Sequence, residues 1–297
     1  MPVLECVPNI SEGRDLAAIR RIADAVAATP GVRLLDVHSD ATHHRSVFTI
    51  IGTAAALRAA VLALFEATLA VVDLAAHHGA HPRIGAVDVV PFVPLAGATM
   101  AEAIAAARET AAGVAERFGV PVFLYERAAT RPERHALQDV RRGQFEGLHA
   151  KLRRPEWQPD YGPPVPHPRL GAVAIGARDF LVAYNINLAT ARLDVATRIA
   201  RVVRESSGGL PCVKAMGLAL PDRGIVQVSM NLTDIEQTSL ATVFEVVSRE
   251  AARDDVDVVE SEVVGLVPGR ALVEAAARHL RLPRFGADRV LDTHLGS

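Results

Sequence analysis

Hydrophobic periodicities follow one another along the chain in an order that repeats, and this repeat constrains the fold more than any other feature. An apolar run from Val3 to Val7 leads into a polar loop, Pro8 to Gly13, and then Leu16, Ile19, Ile22, Ala23 and Val26 recur at helical spacing between Asp15 and Ala28. Val32 to Val37 and Ser46 to Gly52 are rich in β-branched residues. Thr53 stands where a cap precedes an apolar helix reaching Asp73, and Ala86 to Val90 reads as a strand. The order is β-α-β-β-α-β. It returns as a strand from Phe180 to Leu188, a helix capped by Thr190 and running to Arg204, strands Val213 to Ala219 and Ile225 to Leu232 around Pro221-Asp222-Arg223-Gly224, a helix from Ser239 to Ala252, and a strand from Val256 to Glu262. Two such units predict an α+β protein of two ferredoxin-like (βαββαβ) subdomains forming a cleft, each an antiparallel-rich sheet with helices on one face. The expected division is 1–178 and 179–297.

With 297 residues, half of them hydrophobic, the chain can bury a core in each subdomain. A formal charge of -2 gives no reason to expect nucleic acid or an anionic membrane as partner. The most apolar helix, Thr53 to Asp73, carries Arg58 and Glu66 in its interior, which predicts a core helix and not a membrane span. The N-terminus lacks the basic run of a secretory signal, and Cys6 and Cys212 form no CxxC or zinc pattern, so free thiols and a cytoplasmic location are expected. Six prolines between Pro155 and Pro168 exclude both helix and central strand there. Composition alone makes that segment a stiff linker between subdomains, yet its Trp157, Tyr161 and His167 are what a flat heterocyclic ligand packs against.

Six of the eleven histidines, His38, His43, His44, His77, His78 and His81, fall between positions 38 and 81, where random placement would put about two. Pro82 disfavours helical geometry at His81, and Gly79 and Gly85 free the backbone on both sides, so the second cluster lies in a loop where an imidazole can reach a ligand and carry protons near neutral pH. His77 and His81 are four apart, as in helical zinc motifs. The helix should stop before Pro82, however, and no glutamate follows His77, so no metal is expected, with a metal-dependent amidine hydrolase using His77 and His81 as the rival. Ser11 lacks a GxSxG elbow, and there is no dinucleotide fingerprint or P-loop. General acid-base chemistry remains.

Val7-Pro8-Asn9-Ile10-Ser11-Glu12-Gly13, the run His78 to Phe92, the run Gly176 to Leu188 and Gly265-Leu266-Val267-Pro268 together resemble the glutamate formiminotransferases, in order and over nearly the whole chain. The resemblance implies two ferredoxin-like subdomains, a homodimer, and transfer of a formimino group from N-formimino-L-glutamate to N5 of tetrahydrofolate, the co-substrate, in histidine degradation. It implies that His81 is the catalytic histidine. The stretch Gly162, Pro163, Pro164, Val165, Pro166, His167, Pro168, Arg169, Leu170, Gly171 matches the family's folate-binding segment. Because both substrates are polyanionic, Arg45 and Arg83 are candidate carboxylate clamps and Asn9 a candidate hydrogen-bonding group. In Asp40-Ala41-Thr42-His43-His44-Arg45, His44 stands where the family has Asn, which leaves open a formyl donor, N-formylglutamate, or a protein that binds folate without turnover. The end at Ser297 predicts the form without the cyclodeaminase domain fused in some relatives.

Overall fold

The computed structural model describes residues 2–79, 81–95, 97–282 and 285–290. It divides between Asp179 and Phe180 into two compact units. The first contains β1 (Leu4–Cys6), β2 (Asn9–Ile10), α1 (Leu16–Ala27), β3 (Val32–Asp40), β4 (Arg45–Gly52), α2 (Ala54–Val71), β5 (Val87–Pro94), α3 (Met100–Phe118), β6 (Val122–Glu126), α4 (Leu137–Arg141), α5 (Leu148–Leu152) and β7 (Val173–Ala177). The second contains β8 (Val182–Leu188), α6 (Leu193–Val203), β9 (Val213–Leu220), β10 (Ile225–Leu232), α7 (Leu240–Ala252), β11 (Val258–Val264) and α8 (Gly269–His279).

β1 and β2 are two pieces of one strand position, since both pair antiparallel with β4 and with β5. Pro8 explains the break: it has no amide hydrogen to donate, while its carbonyl accepts from Phe48 N–H at 2.9 Å. Asn9 and Ile10, expected in a loop, are therefore strand residues. With β3 beside β4, the first four strand positions run β3, β4, β1/β2, β5, and the second unit runs β9, β10, β8, β11. Both are the pairing of a ferredoxin-like βαββαβ unit.

The first unit goes further than that motif. β7 and β6 extend its sheet in parallel from β5, and α3 covers them. Strands in such an extension are buried on both faces and read as near-continuous apolar runs, as β7 does, and as β5 and β6 do apart from Asp88 and Glu126. α1 and α2 share the core with α3, and α2 buries Leu57, Val61, Leu64 and Phe65. Asp15 caps α1 by accepting from Ala17 and Ala18 N–H at 2.9 and 3.0 Å, and Thr53 caps α2. Thr190 is not a helix cap. Its hydroxyl accepts from Arg192 N–H at 3.2 Å in the preceding turn, and α6 starts at Leu193 without a side-chain cap.

The proline-rich segment is not a linker, because it folds back onto the first unit. Trp157 is buried edge-on to Phe123, with the Lys151 ammonium 3.8 Å from the centre of its ring, so that ring is spent on packing and cannot stack on a ligand. Tyr161 pairs by backbone with Val122, and His167 with Gly171, which closes a tight turn.

Candidate active site

The loop carrying His81 is pinned on several sides. Asp73 caps a short turn after α2 by accepting from Ala75 N–H, and Ser11 Oγ donates to the Gly85 carbonyl at 2.7 Å. Ile84 N–H donates to Asp88 Oδ1 at 2.7 Å, and the Ile84 carbonyl accepts from Ala172 N–H at 3.0 Å. A Cβ on Gly85 would lie 1.9 Å from the Ala172 carbonyl oxygen, so only glycine allows this approach. Gly85 in turn bridges Gly171, which sets the end of the 162–171 stretch against the histidine loop. His167 Nδ1 accepts from the amides of Arg169 and Leu170, holding that turn.

Ile10, Ser11, His43, His44, Arg45, His77, His81, Arg83 and Asp88 line one small pocket. Arginine cannot accept a hydrogen bond, so the Arg45 guanidinium must donate to His81 Nε2, and His81 Nδ1–H donates to the Pro82 carbonyl at 2.8 Å. That assigns the neutral tautomer. Burial, then Arg45 and Arg141, then His43, hold the His81 imidazolium well below the ordinary histidine pKa.

Arg45 also donates to Asn9 Oδ1, while Asn9 Nδ2 donates to the Val7 carbonyl at 2.8 Å, so Asn9 positions the arginine. Arg45 Nε is buried with no partner among the described residues. Burial and the neighbouring Arg141 lower the Arg45 pKa, and no carboxylate pairs with it directly among the described residues. An anionic group placed there would complement this charge. Arg83 is differently placed: Nε donates to His77 Nδ1 at 3.0 Å, and Nη1 and Nη2 grip Glu146 at 2.9 and 2.8 Å. A substrate carboxylate can take Arg83 only by displacing Glu146, which is 64% exposed.

The other histidines have definite duties. His77 Nε2–H donates to the His44 carbonyl at 2.8 Å while its Nδ1 accepts from Arg83, so neither nitrogen offers a metal a lone pair without giving up a bond. His44 stacks on His77 at 4.2 Å and turns both nitrogens to acceptors, the His78 carbonyl and Glu12. Its φ of 51° is in the left-handed region, which Asn and His both enter more readily than most residues; the backbone at this position therefore accepts either. His43 Nδ1 meets Asp40 Oδ2 at 2.7 Å. No cluster of three or more His, Cys, Asp or Glu side chains suited to a metal occurs among the described residues.

Of the expected site residues, the structure gathers His81, Arg45, Arg83 and Asn9 around this pocket and brings Gly171 beside its loop, while Gly162 to Leu170 lie outside the lining. Asp88 and its partner Arg141, and the Asp40–His43 pair, had been given no role. A signal existed for Asp88, a carboxylate inside the apolar run Ala86 to Val90, and for Asp40 and His43, three apart across a turn.

The family model described as "Formiminotransferase domain, N-terminal subdomain" matches residues 3–178, and that described as "Formiminotransferase domain" matches 183–284. The chain belongs to the formiminotransferase family. It is 44% identical over 294 residues to a glutamate formimidoyltransferase of Streptococcus pyogenes serotype M1, covering 99% of this chain and 98% of that one. A glutamate formimidoyltransferase of Thermoplasma acidophilum is 43% identical over 98% of this chain and 97% of its own length. Against the formimidoyltransferase-cyclodeaminase of Sus scrofa, identity is 44% over 93% of this chain and 52% of that protein. This formiminotransferase chain thus spans about half the length of the pig protein.

Proposed function

We infer that this formiminotransferase moves the formimino group of N-formimino-L-glutamate to N5 of tetrahydrofolate and releases L-glutamate, a step of histidine degradation. Full-length identity of 44% to a glutamate formimidoyltransferase is the observation that carries this reading. The pocket supports it, because a buried arginine with no carboxylate partner among the described residues faces a neutral imidazole there.

N5 must lose a proton as it bonds to the amidine carbon, and the glutamate nitrogen must gain one as it leaves. His81, neutral at physiological pH, takes the first proton once Arg45 releases its Nε2 lone pair. Arg45 does so by turning to a substrate carboxylate, which also screens the charge that disfavours the imidazolium. Asn9 keeps Arg45 within reach of both. The 162–171 stretch contacts the folate, a reading supported by the Gly85–Gly171 bridge to the histidine loop. Holding two substrates in register supplies the larger, entropic part of the acceleration. The enzyme works in the cytoplasm as a homodimer built from subdomains 1–178 and 179–297.

The test is a spectrophotometric assay of tetrahydrofolate with N-formiminoglutamate beside N-formylglutamate. Transfer from the formimino donor alone is expected, and His81→Ala should abolish it while folate affinity stays nearly intact. Transfer from the formyl donor alone would change the donor; folate-independent, chelator-sensitive hydrolysis would replace the reaction, and folate binding with no turnover of either donor would make the protein a carrier.

A further inference from the structure

We propose that His43, oriented by Asp40, is a second proton-transferring residue of this enzyme and protonates the glutamate nitrogen as it departs. The proposal rests on the formimino-transfer reading above.

Three of the four histidines lining the pocket have both ring nitrogens engaged: His81 by Pro82 and Arg45, His44 by His78 and Glu12, His77 by His44 and Arg83. His43 is the exception. Its Nδ1–H donates to Asp40 Oδ2 at 2.7 Å, its backbone amide donates to Oδ1 of the same carboxylate at 2.7 Å, and Nε2 has no hydrogen bond among the described residues. Two bonds to one carboxylate fix both the ring's position and its tautomer, as the carboxylate of a catalytic triad does for its histidine. His43 is 8% exposed, and its ring lies 6.3 Å from that of His81, centroid to centroid, at an interplanar angle of 61°. Both therefore face one small pocket.

Their hydrogen-bond partners carry opposite charges. His81 sits against Arg45 from β4 and near Arg141 from α4, which oppose a proton on it. His43 is held instead by Asp40 from β3. Asp88 from β5 and Arg83 from the histidine loop, also in the lining, are ion-paired with Arg141 and Glu146. Two imidazoles on one small pocket, one held by a guanidinium and the other by a carboxylate, divide base and acid work between them.

The step balances as follows. The bond from N5 to the amidine carbon forms and the N5 proton passes to His81. The bond from that carbon to the glutamate nitrogen then breaks, its electron pair stays on nitrogen, and nitrogen takes the proton from His43 Nε2. Return of one proton from His81 to His43 through solvent closes the cycle. Asp40 touches no substrate and is a positioning residue.

The experiment measures steady-state transfer over a pH series for wild type, His43→Gln, His43→Ala and Asp40→Asn, with thermal midpoints as the check on folding. For His43→Gln, kcat should fall by about 10²- to 10⁴-fold with little change in either KM. The loss should shrink with a formimino donor whose leaving nitrogen is an arylamine, because that group departs without help from an acid. Exogenous imidazole should partly restore His43→Ala. In Asp40→Asn the alkaline limb of kcat should move to lower pH, which a purely structural carboxylate would not cause. A folded His43→Gln with kcat within threefold of wild type and an unchanged pH profile overturns the proposal; if that variant does not fold, an unmoved alkaline limb in Asp40→Asn overturns it. Absence of formimino transfer by the wild type would instead defeat the functional reading itself.

Discussion

Asp88→Asn tests whether the floor of the pocket is held by a buried ion pair. Asp88 is 3% exposed and Arg141 13%. One carboxylate oxygen accepts from Ile84 N–H at 2.7 Å, and the other accepts from Arg141 Nε at 2.9 Å and from Nη2. Asparagine can keep the bond from Ile84, but its NH₂ then faces the guanidinium donor to donor, and Arg141 is left buried and uncompensated within the field of Arg45. Removing one partner of a buried pair costs about 3–5 kcal/mol, and the partial access of Arg141 to solvent puts this case near the lower end. At about 2–4 °C per kcal/mol for a unit of this size, the thermal midpoint should drop by roughly 6–12 °C. Circular dichroism during thermal and urea unfolding at pH 7 measures it. Replacing both charges, in Asp88→Leu with Arg141→Met, should lose less than the sum of the single changes by more than about 1 kcal/mol. An Asp88→Asn protein within about 0.5 kcal/mol of wild type, or strict additivity in the double variant, would refute the reasoning.

Three further outcomes are expected. Burial alone would raise the Asp40 pKa, but hydrogen bonds from His43 outweigh it and bring the carboxyl to about 2 from an ordinary 3.8; its stabilisation is complete above the ordinary value and lost as pH falls through about 2, so Asp40→Asn should flatten the acid-unfolding slope between those limits, and parallel slopes would count against the pair. In Arg45→Met one of the two guanidiniums beside His81 disappears and Nε2 is released, so the ring's titration midpoint by proton NMR should rise toward that of an ordinary histidine, with KM up by about tenfold or more; an unmoved midpoint would mean that burial alone sets it. Gly85→Ala places a methyl against the Ala172 and Val87 carbonyls at 1.9 and 2.5 Å, where backbone must yield, and should lose about 3 kcal/mol in urea unfolding, a tolerated alanine disproving the close approach.

The repeated element order was legible because its helices carry leucine, isoleucine and valine against polar neighbours, and its caps, Asp15 and Thr53, are local. α3 escaped notice for a physical reason. Its buried side is Ala103, Ala106, Ala107 and Ala111, which contrasts little with the alanines on its other faces. β6 and β7 show no alternation because both faces are covered, and they lie on either side of the proline-rich segment, whose packing depends on Phe123 and Lys151 and not on its own composition. The histidine loop could be read from Pro82 and its glycines. What could not be read was which imidazole nitrogens are occupied, because that depends on Arg45, 36 residues from His81, and on Arg83 meeting Glu146 across 63. The Asp40–His43 pair is local, but three-residue spacing is common in turns and did not stand out.

The contact between Gly85 and Gly171 has a consequence for engineering this enzyme. Because two peptide planes meet there with no side chain between them, the histidine loop and the proline-rich turn are mechanically a single part. A chimera that takes one of them from a relative must take both, since a register change of one residue on either side would bring a Cβ into the seam. Any attempt to alter folate preference by loop exchange should therefore cut the chain before Asp73 and after Ala172, and never between the two glycines and the elements they join.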